Sequence, residues 1–427
     1  MKKILSLVLV LMMVLSIGSA LAEGRTKVPA GQIEGGPDVY FVISAAFFKE
    51  KTDWIVIQQK GNDYYKRYDQ PVTISKVDDD FLLPLDSLSR IFQFSYTYDA
   101  ASGAIHLEDE YVKADLAVGS KDVTIDGAAD TLSTAPVEVD GVLCVPAISV
   151  GTKVFALVSG ESLGGYSYLA YEETSLPAGS TSNTSGFISQ LTRPNKIYGV
   201  HQPLYWFEEA QMLMPYRLTV PTCYDPETPI PLVVFLHGGS GNDNRDVERT
   251  RAVASDDSGY LWDMLLDRYG FMGLSVNGYA HADYGTKADD SDPAMARASV
   301  LSELEVIAAI DQVKAKYNID EDRIFLMGNS MGGIGTLWIA CDYPDMFAAL
   351  SPSPGFNPKT DLTILGDTAI RVVACTEDSG YNTALANYKA WKEKGLNVTF
   401  RGVCGGPHNI GWAEVLDETL AFFADVK

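Results

Sequence analysis

Residues 323–335 read Arg-Ile-Phe-Leu-Met-Gly-Asn-Ser-Met-Gly-Gly-Ile-Gly, and the rest of the chain can be placed around this stretch. The apolar run Ile324–Met327 has the length and character of a buried parallel strand. It leads into Gly-Asn-Ser-Met-Gly at 328–332, which has the G-x-S-x-G spacing of a nucleophile elbow. An elbow holds its central residue at positive φ, so the residues two positions away crowd each other unless both lack side chains. We expect a helix to begin after Ser330, with its N-terminal N–H groups directed at an oxyanion formed there.

The segments on either side of the elbow alternate between short apolar runs and helical patterns. This alternation predicts an α/β fold, a doubly wound and mostly parallel sheet with helices on both faces. A long helix is predicted at Ser299–Tyr317, with Val306, Ile310 and Val313 on one stripe. A final helix is predicted at Trp412–Ala424. Besides the elbow strand, the predicted strands are Tyr216–Pro221, Leu232–Leu236, Phe271–Val276, Arg371–Thr376 and Val398–Val403.

A serine nucleophile on such a sheet needs an acid and a histidine later in the chain. Of the five histidines, only His408 follows Ser330, so the base is identified by elimination. His408 lies in a loop after the strand Val398–Val403, and the carboxyl end of a strand is where a base can reach the serine. The acid is expected just after the strand that ends at Thr376. Asp378 lies in the turn proper, and Glu377 is the alternative.

The sequence His-Gly-Gly-Ser-Gly at 237–241 follows an apolar strand and is expected to form an oxyanion loop. Its glycines let the backbone approach a substrate and turn an N–H inward. The expected donors are the backbone N–H groups of Gly239 and Met331, and His237 is expected to be structural. A phosphate cradle is the weaker interpretation, because no Gly-Lys-Ser/Thr follows.

Four stretches around these residues, at 214–221, 231–239, 322–335 and 343–349, resemble secreted esterases of the α/β-hydrolase fold. The nearest group contains feruloyl and acetyl-xylan esterases and polyhydroxybutyrate-depolymerase-like proteins, whose members are often labelled peptidases. Asn329 is a departure, because His, Leu or Gln usually precedes the nucleophile in that group. The resemblance implies a secreted serine carboxylester hydrolase that needs no metal or organic cofactor. Its expected substrates are acyl groups on plant polysaccharide, or small esters derived from it.

In the expected mechanism, Ser330 attacks the ester carbonyl, His408 takes the serine proton and later returns it, and Asp378 orients His408. A serine peptidase using the same three residues is one alternative function. A wall-binding protein with a vestigial hydrolase domain is another, and the presence of all three residues with both oxyanion glycines argues against it.

The N-terminal part of the chain contains a weak internal repeat of strand, proline, short helix and strands, first at Phe81–Leu107 and again at Val137–Tyr171. With the intervening stretch Leu116–Gly127, it resembles the copper amine oxidase N-terminal-like domain of secreted bacterial proteins. The region has a single histidine, His106, so no copper site is expected. The resemblance implies a wall-associated or substrate-presenting module.

The 427 residues allow for two or three domains. Residues 1–22 have the basic start, apolar run and small residues of a secretory signal, and the run is shorter than the roughly 20 residues that span a bilayer. We expect a β-rich module at 23–173, in which 23–70 is either an N-terminal extension or the first strands of the module. A Ser/Thr-rich linker is expected at 174–186 and the catalytic domain at 187–427. The expected location is outside a bacterial cell, with cell-wall association through the module.

The formal net charge is −23, which disfavours nucleic acid and anionic membrane surfaces as partners. Five cysteines do not form a disulfide scaffold. Cys375 and Cys404 come shortly before Asp378 and His408, so they could form a disulfide that joins the acid and base loops, or remain two buried free thiols.

Several aromatic and loop positions have two interpretations. Trp412 could cover the site or pack in the core. Tyr205 and Trp206 could form a sugar-stacking platform or pack in the core. The segment Asn277–Pro293 could line the acyl or alcohol pocket or be a solvated loop.

Overall fold

The computed structural model describes residues 43–59, 65–171, 197–239, 241, 247, 261–359, 361–406, 408 and 411–426. The chain separates into two compact units, whose described parts are residues 43–171 and 197–426. The predicted signal at 1–22 and the predicted linker at 174–186 lie outside the described residues. In the ranges that are described, no helix is both long enough and apolar enough to span a bilayer.

The first unit consists of three antiparallel sheets. They contain β1 (Ile43–Phe48), β2 (Trp54–Gln59), β3 (Tyr65–Asp69), β4 (Ser75–Val77), β5 (Asp80–Pro84), β6 (Ser95–Asp99), β7 (Ala104–Glu108), β8 (Lys113–Ala117), β9 (Asp122–Ile125), β10 (Ala128–Thr131), β11 (Val137–Val139), β12 (Val142–Pro146), β13 (Val158–Ser162) and β14 (Tyr166–Ala170). The sheet orders are β13-β14-β1-β2-β3, β10-β9-β8-β7-β6 and β11-β12-β5-β4. Of the two interpretations of residues 23–70, the structure supports strands of the module, because β1–β3 join β14 in one sheet.

The internal repeat corresponds to two strands that pair with each other. β5 and β12 are antiparallel neighbours, and each ends in a proline directly before a helix. After Pro84 comes α1 (Leu85–Phe92), and after Pro146 comes α2 (Ala147–Ser149), which continues into a π-helical turn at Val150–Val154. Proline suits the start of a helix because the N–H that it lacks would have no partner in the first turn.

One buried carboxylate ties the two copies of the repeat together. Asp80, at the start of β5, is 1% exposed. Its oxygens accept bonds from the backbone N–H groups of Phe81, Ile148 and Ser149 at 2.7, 2.7 and 2.8 Å. They also accept bonds from the hydroxyls of Ser133 and Ser149 at 2.6 and 2.7 Å. Five donors therefore depend on one side chain.

We expect Asp80→Asn to lower the free energy of unfolding of the first unit by about 2–4 kcal/mol, because the amide removes the charge and places N–H groups against donors. The measurement is hydrogen exchange of peptides from β5 and β12 in the full chain, which reports on this unit alone. The matched control is Asp79→Asn at the adjacent exposed position. An Asp80→Asn protein whose exchange rates equal those of the control would contradict this account.

The second unit has one large sheet. Its strands are β15 (Gly199–His201), β16 (Leu204–Phe207), β17 (Met212–Val220), β18 (Ile230–Leu236), β19 (Met272–Val276), β20 (Ile319–Asn329), β21 (Ala349–Ser353), β22 (Ala369–Cys375) and β23 (Val398–Val403). Its α-helices are α3 (Leu261–Tyr269), α4 (Pro293–Lys316), α5 (Met331–Asp342), α6 (Tyr381–Glu393), α7 (Gly411–Glu414) and α8 (Leu416–Ala424). The order is β15-β17-β19-β18-β20-β21-β22-β23, with β16 paired to β17.

The strands from β19 to β23 in this order are parallel, and β17 pairs antiparallel with both of its neighbours, β15 and β19. Successive residues of the central strand β18 enter two different cores. Leu232, Val234 and Leu236 pack on the side of α4, α5 and α6, and Val233 and Phe235 pack on the side of α3, α7 and α8. The expected fold class is confirmed: an α/β-hydrolase sheet, preceded in the chain by a smaller β-rich domain.

The last helix differs from the prediction. The continuous helix expected over Trp412–Ala424 is divided into α7 and α8, with a non-helical backbone at Val415. Val415 is buried in a small cluster with Val373, Cys375 and Val403 at the end of the sheet. This packing sets the break, and the sequence alone contains no proline or glycine that would indicate it.

Candidate active site

The predicted elbow lies between β20 and α5. Ser330 has φ 57° and ψ −114°, so its backbone is in a region that residues with a side chain rarely occupy. Its N–H donates to the carbonyl of Ser353 at 2.6 Å, on the neighbouring strand β21. Its own carbonyl accepts from Ile334 at 3.1 Å in the first turn of α5. The strained turn is therefore held by the sheet on one side and the helix on the other.

The two glycines of the motif are required by close backbone contacts. A Cβ added at Gly328 would lie 2.2 Å from the carbonyl oxygen of Gly332. A Cβ added at Gly332 would lie 2.1 Å from the carbonyl oxygen of Leu236, at the end of β18. The contact between positions 328 and 332 is the crowding that the sequence predicts. Position 332 must also be glycine because the end of β18 passes close to it.

The structure brings the three predicted residues together. The hydroxyl oxygen Oγ of Ser330 lies 2.8 Å from Nε2 of His408, and Nδ1 of His408 lies 2.5 Å from Oδ2 of Asp378. The Asp378 side chain is 1% exposed, whereas the His408 side chain is 50% exposed. The alternative acid, Glu377, is exposed. Because a carboxylate only accepts, Nδ1 carries the proton, and Nε2 can accept from the serine hydroxyl.

Two local hydrogen bonds hold the acid and base loops. Oδ1 of Asp378 accepts from the N–H of Gly380 at 2.6 Å, and Oδ2 remains available to the imidazole. The N–H of Gly405, three residues before His408, donates to the Thr376 hydroxyl at 2.9 Å. The loop that contains His408 is thus tied to the loop that contains Asp378.

The loop that contains Gly239 lies close to Ser330 and Met331. A Cβ placed at Gly238 would be 3.4 Å from Cβ of Ser330, and one placed at Gly239 would be 3.9 Å from the sulfur of Met331. Met331 is the first residue of α5, so its N–H has no acceptor within the helix. The predicted oxyanion loop therefore lies next to the start of α5. Ser240 lies outside the described residues.

His237 is fully buried and does not face the site. Its Nδ1 lies 2.7 Å from the carbonyl oxygen of Gly238, and its Nε2 lies 2.6 Å from that of Asn277. The segment 277–284 follows β19 and packs against α4, where the N–H of Tyr284 donates to the Ser302 hydroxyl at 2.8 Å. The first part of the segment Asn277–Pro293 is therefore buried, with Asn277, Tyr279 and Tyr284 each at most 3% exposed.

Of the three aromatic positions left open by the sequence, Trp412 and Tyr205 pack in the core and Trp206 does not. Trp412 is 1% exposed, and its ring centroid lies 4.5 Å from that of Phe235. Tyr205 is buried against Phe207 and Tyr216. Trp206 is partly exposed, and its indole N–H donates to Glu208 at 2.7 Å.

Cys375 and Cys404 are free thiols in this structure. Cys375 pairs across the sheet with Val403, so the side chain of Cys404, one residue further on, points to the opposite face. Cys375 is buried and Cys404 is exposed. Burial, and then the nearby charges of Glu414 and Asp378, raise the pKa of the Cys375 thiol, which favours the neutral form.

Sequence reasoning missed several groups that hold the site. The Ser353 carbonyl and the Thr376 hydroxyl have no sequence signal, because each acts through a contact on a neighbouring strand or loop. The Gly380 N–H had a signal, since Asp-Ser-Gly at 378–380 is typical of a turn closed by the aspartate side chain. Across the described ranges there is no cluster of three or more His, Cys, Asp or Glu residues that could hold a metal ion.

The fold and this geometry define an α/β-hydrolase domain with a serine, histidine and aspartate in contact. Residues 298–401 match the family model described as "Putative esterase", and residues 60–161 match the one described as "Copper amine oxidase N-terminal domain". Both resemblances stated from the sequence are therefore confirmed.

Two curated proteins are similar to part of the chain. Feruloyl esterase B of Neurospora crassa is 37% identical over 129 residues, which cover 28% of this chain and 36% of that protein. Poly(3-hydroxybutyrate) depolymerase of Ralstonia pickettii is 26% identical over 137 residues, which cover 32% of this chain and 27% of that protein. The chain thus spans between 27% and 36% of the length of these relatives.

Among solved structures, the chain is similar to FphF, the fluorophosphonate-binding serine hydrolase F of Staphylococcus aureus. The TM-score is 0.43 at 15% identity, and the alignment covers 53% of this chain and 98% of that one.

We expect Gly332→Ala to destabilise the second unit by about 3 kcal/mol or more, because the added methyl group meets a backbone carbonyl that cannot rotate away. The measurement is the urea midpoint of unfolding. Gly239→Ala is the control, since its added Cβ has no neighbour closer than 3.9 Å, and it should keep the wild-type midpoint. A wild-type midpoint for Gly332→Ala would show that the elbow tolerates a side chain there.

Proposed function

We propose that this protein is a serine carboxylester hydrolase that forms an acyl-enzyme on Ser330. The observation that carries this proposal is the contact of Ser330 Oγ with His408 Nε2 at 2.8 Å, continued by His408 Nδ1 to Asp378 at 2.5 Å. A nucleophile, a base and an orienting acid within hydrogen-bond reach are what acyl transfer requires.

In the proposed reaction, His408 Nε2 takes the proton of Ser330 as Oγ attacks the ester carbonyl carbon. The buried Asp378 holds the Nδ1 proton and stabilises the imidazolium that forms. The N–H groups of Gly239 and Met331 bind the tetrahedral oxyanion. His408 then protonates the departing alcohol, and the acyl group remains on Ser330. Water, deprotonated by the same imidazole, then attacks the acyl carbon. As the bond between the acyl carbon and Ser330 Oγ breaks, the imidazolium returns the proton to Oγ and the acid leaves.

The proposed substrates are acyl groups of the feruloyl or acetyl type on plant polysaccharide, or small esters derived from it. The partial match to a protein named feruloyl esterase B supports this choice. The half-exposed His408 also supports it, since an ester attached to a large polymer must reach the base from the surface.

We expect the wild-type protein to hydrolyse p-nitrophenyl acetate and methyl ferulate, and Ser330→Ala to lower kcat by at least about 10³-fold without loss of folding. The control is Ser291→Ala, an exposed serine of the same unit, which should stay within twofold of wild type. Steady-state kinetics with a fluorophosphonate titration of active sites provides the measurement. Ester hydrolysis that survives in Ser330→Ala, or faster cleavage of matched anilides than of esters, would contradict the proposal.

We also propose that the chain is exported and that its first unit associates with the cell wall or presents substrate. The support for export is the basic and apolar start of the sequence, and the support for a separate accessory role of the first unit is the match of residues 60–161 to the copper amine oxidase N-terminal domain. Export removes residues 1–22, so N-terminal sequencing of protein from the culture medium of the native bacterium should begin at Glu23. Protein found only inside cells with Met1 or Lys2 at its start would contradict export.

A further inference from the structure

Cys375 is a buried residue that the proposed reaction does not use, and it lies where the acid and base loops meet. It is the last residue of β22 and is 1% exposed. Its backbone carbonyl accepts a bond from the N–H of Asp378 at 3.1 Å. This bond closes the turn that presents the acid. The backbone of Cys375 therefore belongs to the structure that fixes Asp378.

The side chain of Cys375 contacts a different segment, residues 406–411, which contains His408. A Cβ added at Gly411 would lie 2.6 Å from the sulfur, and a Cβ added at Gly406 would lie 3.7 Å from it. The sulfur also accepts a bond from the backbone N–H of Gly411. One side chain therefore lies close to the backbone both before and after the base.

The contact at Gly411 holds the side of the base loop that the hydrogen bond from Gly405 does not reach. The N–H of Gly405, three residues before His408, donates to the Thr376 hydroxyl at 2.9 Å. Gly411 comes three residues after His408. The hydrogen bond and the sulfur contact thus fix the loop at both ends, and both start from the end of β22.

The fit between the sulfur and Gly411 is tight and specific. At 2.6 Å, an added Cβ would be closer to the sulfur than two non-bonded heavy atoms can approach. Its next neighbours, the backbone nitrogen of Cys375 and Cγ1 of Val373, would lie at 3.8 and 3.9 Å. Among the described residues, the sulfur is therefore the only group that prevents a side chain at position 411.

The imidazole of His408 has little tolerance for movement of its loop. Its Nε2 lies 2.8 Å from Oγ of Ser330, and its Nδ1 lies 2.5 Å from Oδ2 of Asp378. A displaced loop changes both distances at once. A displacement of about 1 Å at a reacting group can lower a rate by about 10²-fold.

We propose that the side chain of Cys375 is a positioning residue for the base, in which the sulfur packs between Gly406 and Gly411 and holds His408 against Asp378. The thiol acts as a packed, neutral group, and burial, which raises its pKa, favours that form. This inference rests on the proposed function, because it treats His408 as the base of the reaction.

The kinetic test compares Cys375→Ala with Cys341→Ala. Both changes remove a buried sulfur from the second unit, and Cys341 lies ten residues after Met331 in α5, about 15 Å along the helix. Expressed per fluorophosphonate-titrated site, Cys375→Ala should lower kcat for p-nitrophenyl acetate by about 10-fold or more with KM within about twofold, because a displaced base acts on the transition state. Cys341→Ala should stay within about twofold of wild type. A kcat for Cys375→Ala within about threefold of wild type would overturn the positioning role.

A double variant separates positioning from a general loss of stability. Gly411→Ala places a methyl group against the sulfur and should also lower kcat by about 10-fold or more. In Cys375→Ala/Gly411→Ala, the new methyl group lies in the space that the sulfur occupied. Its kcat should therefore exceed that of either single variant by at least about fivefold, whereas independent losses would add as free energies. A double variant with a kcat at or below that of the weaker single variant would overturn the proposal.

Crystal structures of the wild type, Cys375→Ala and the double variant test the geometry without a substrate. We expect the imidazole of His408 to move by at least about 0.5 Å in Cys375→Ala and to return in the double variant. An imidazole that superposes in all three proteins would overturn the proposal. If the movement is found but the wild type neither hydrolyses the ester nor reacts with the fluorophosphonate, the positioning by Cys375 holds and the proposed function fails.

Discussion

The backbone at Ser330, with φ 57° and ψ −114°, is the constraint on which the hydrolase unit depends. Glycines at 328 and 332 leave room for this turn, and the Ser353 carbonyl on the next strand binds its N–H. The turn raises the serine hydroxyl above the sheet and places the first N–H groups of α5 beside it. Without this conformation, the hydroxyl could not contact His408 while lying next to the predicted oxyanion loop.

Much of this arrangement could be predicted from the sequence because its signals are local. Each of three signals is contained in one short stretch of sequence: the elbow spacing, the apolar strand before it, and the glycines after His237. His408 followed from elimination, since the chain has no later histidine. Asp378 followed from its place after a strand, because parallel strands end at a common edge. The sheet order and the contacts among these residues agree with that reasoning.

The parts that could not be predicted depend on contacts between distant segments. The burial of Trp412 is set by Phe235, which lies far away in the sequence on a different element. The separation of Cys375 from Cys404 depends on the strand register, since a shift of one residue would put both on the same face.

The central claim is that the turn at Ser330 and the loops that contain Gly239, Asp378 and His408 meet at one site. The most direct measurement is a crystal structure of the protein after reaction with a fluorophosphonate. The account predicts phosphorus bonded to Ser330 Oγ, with the phosphoryl oxygen about 2.7–3.1 Å from the backbone nitrogens of Gly239 and Met331. An adduct on another residue, or a phosphoryl oxygen directed away from both nitrogens, would contradict it.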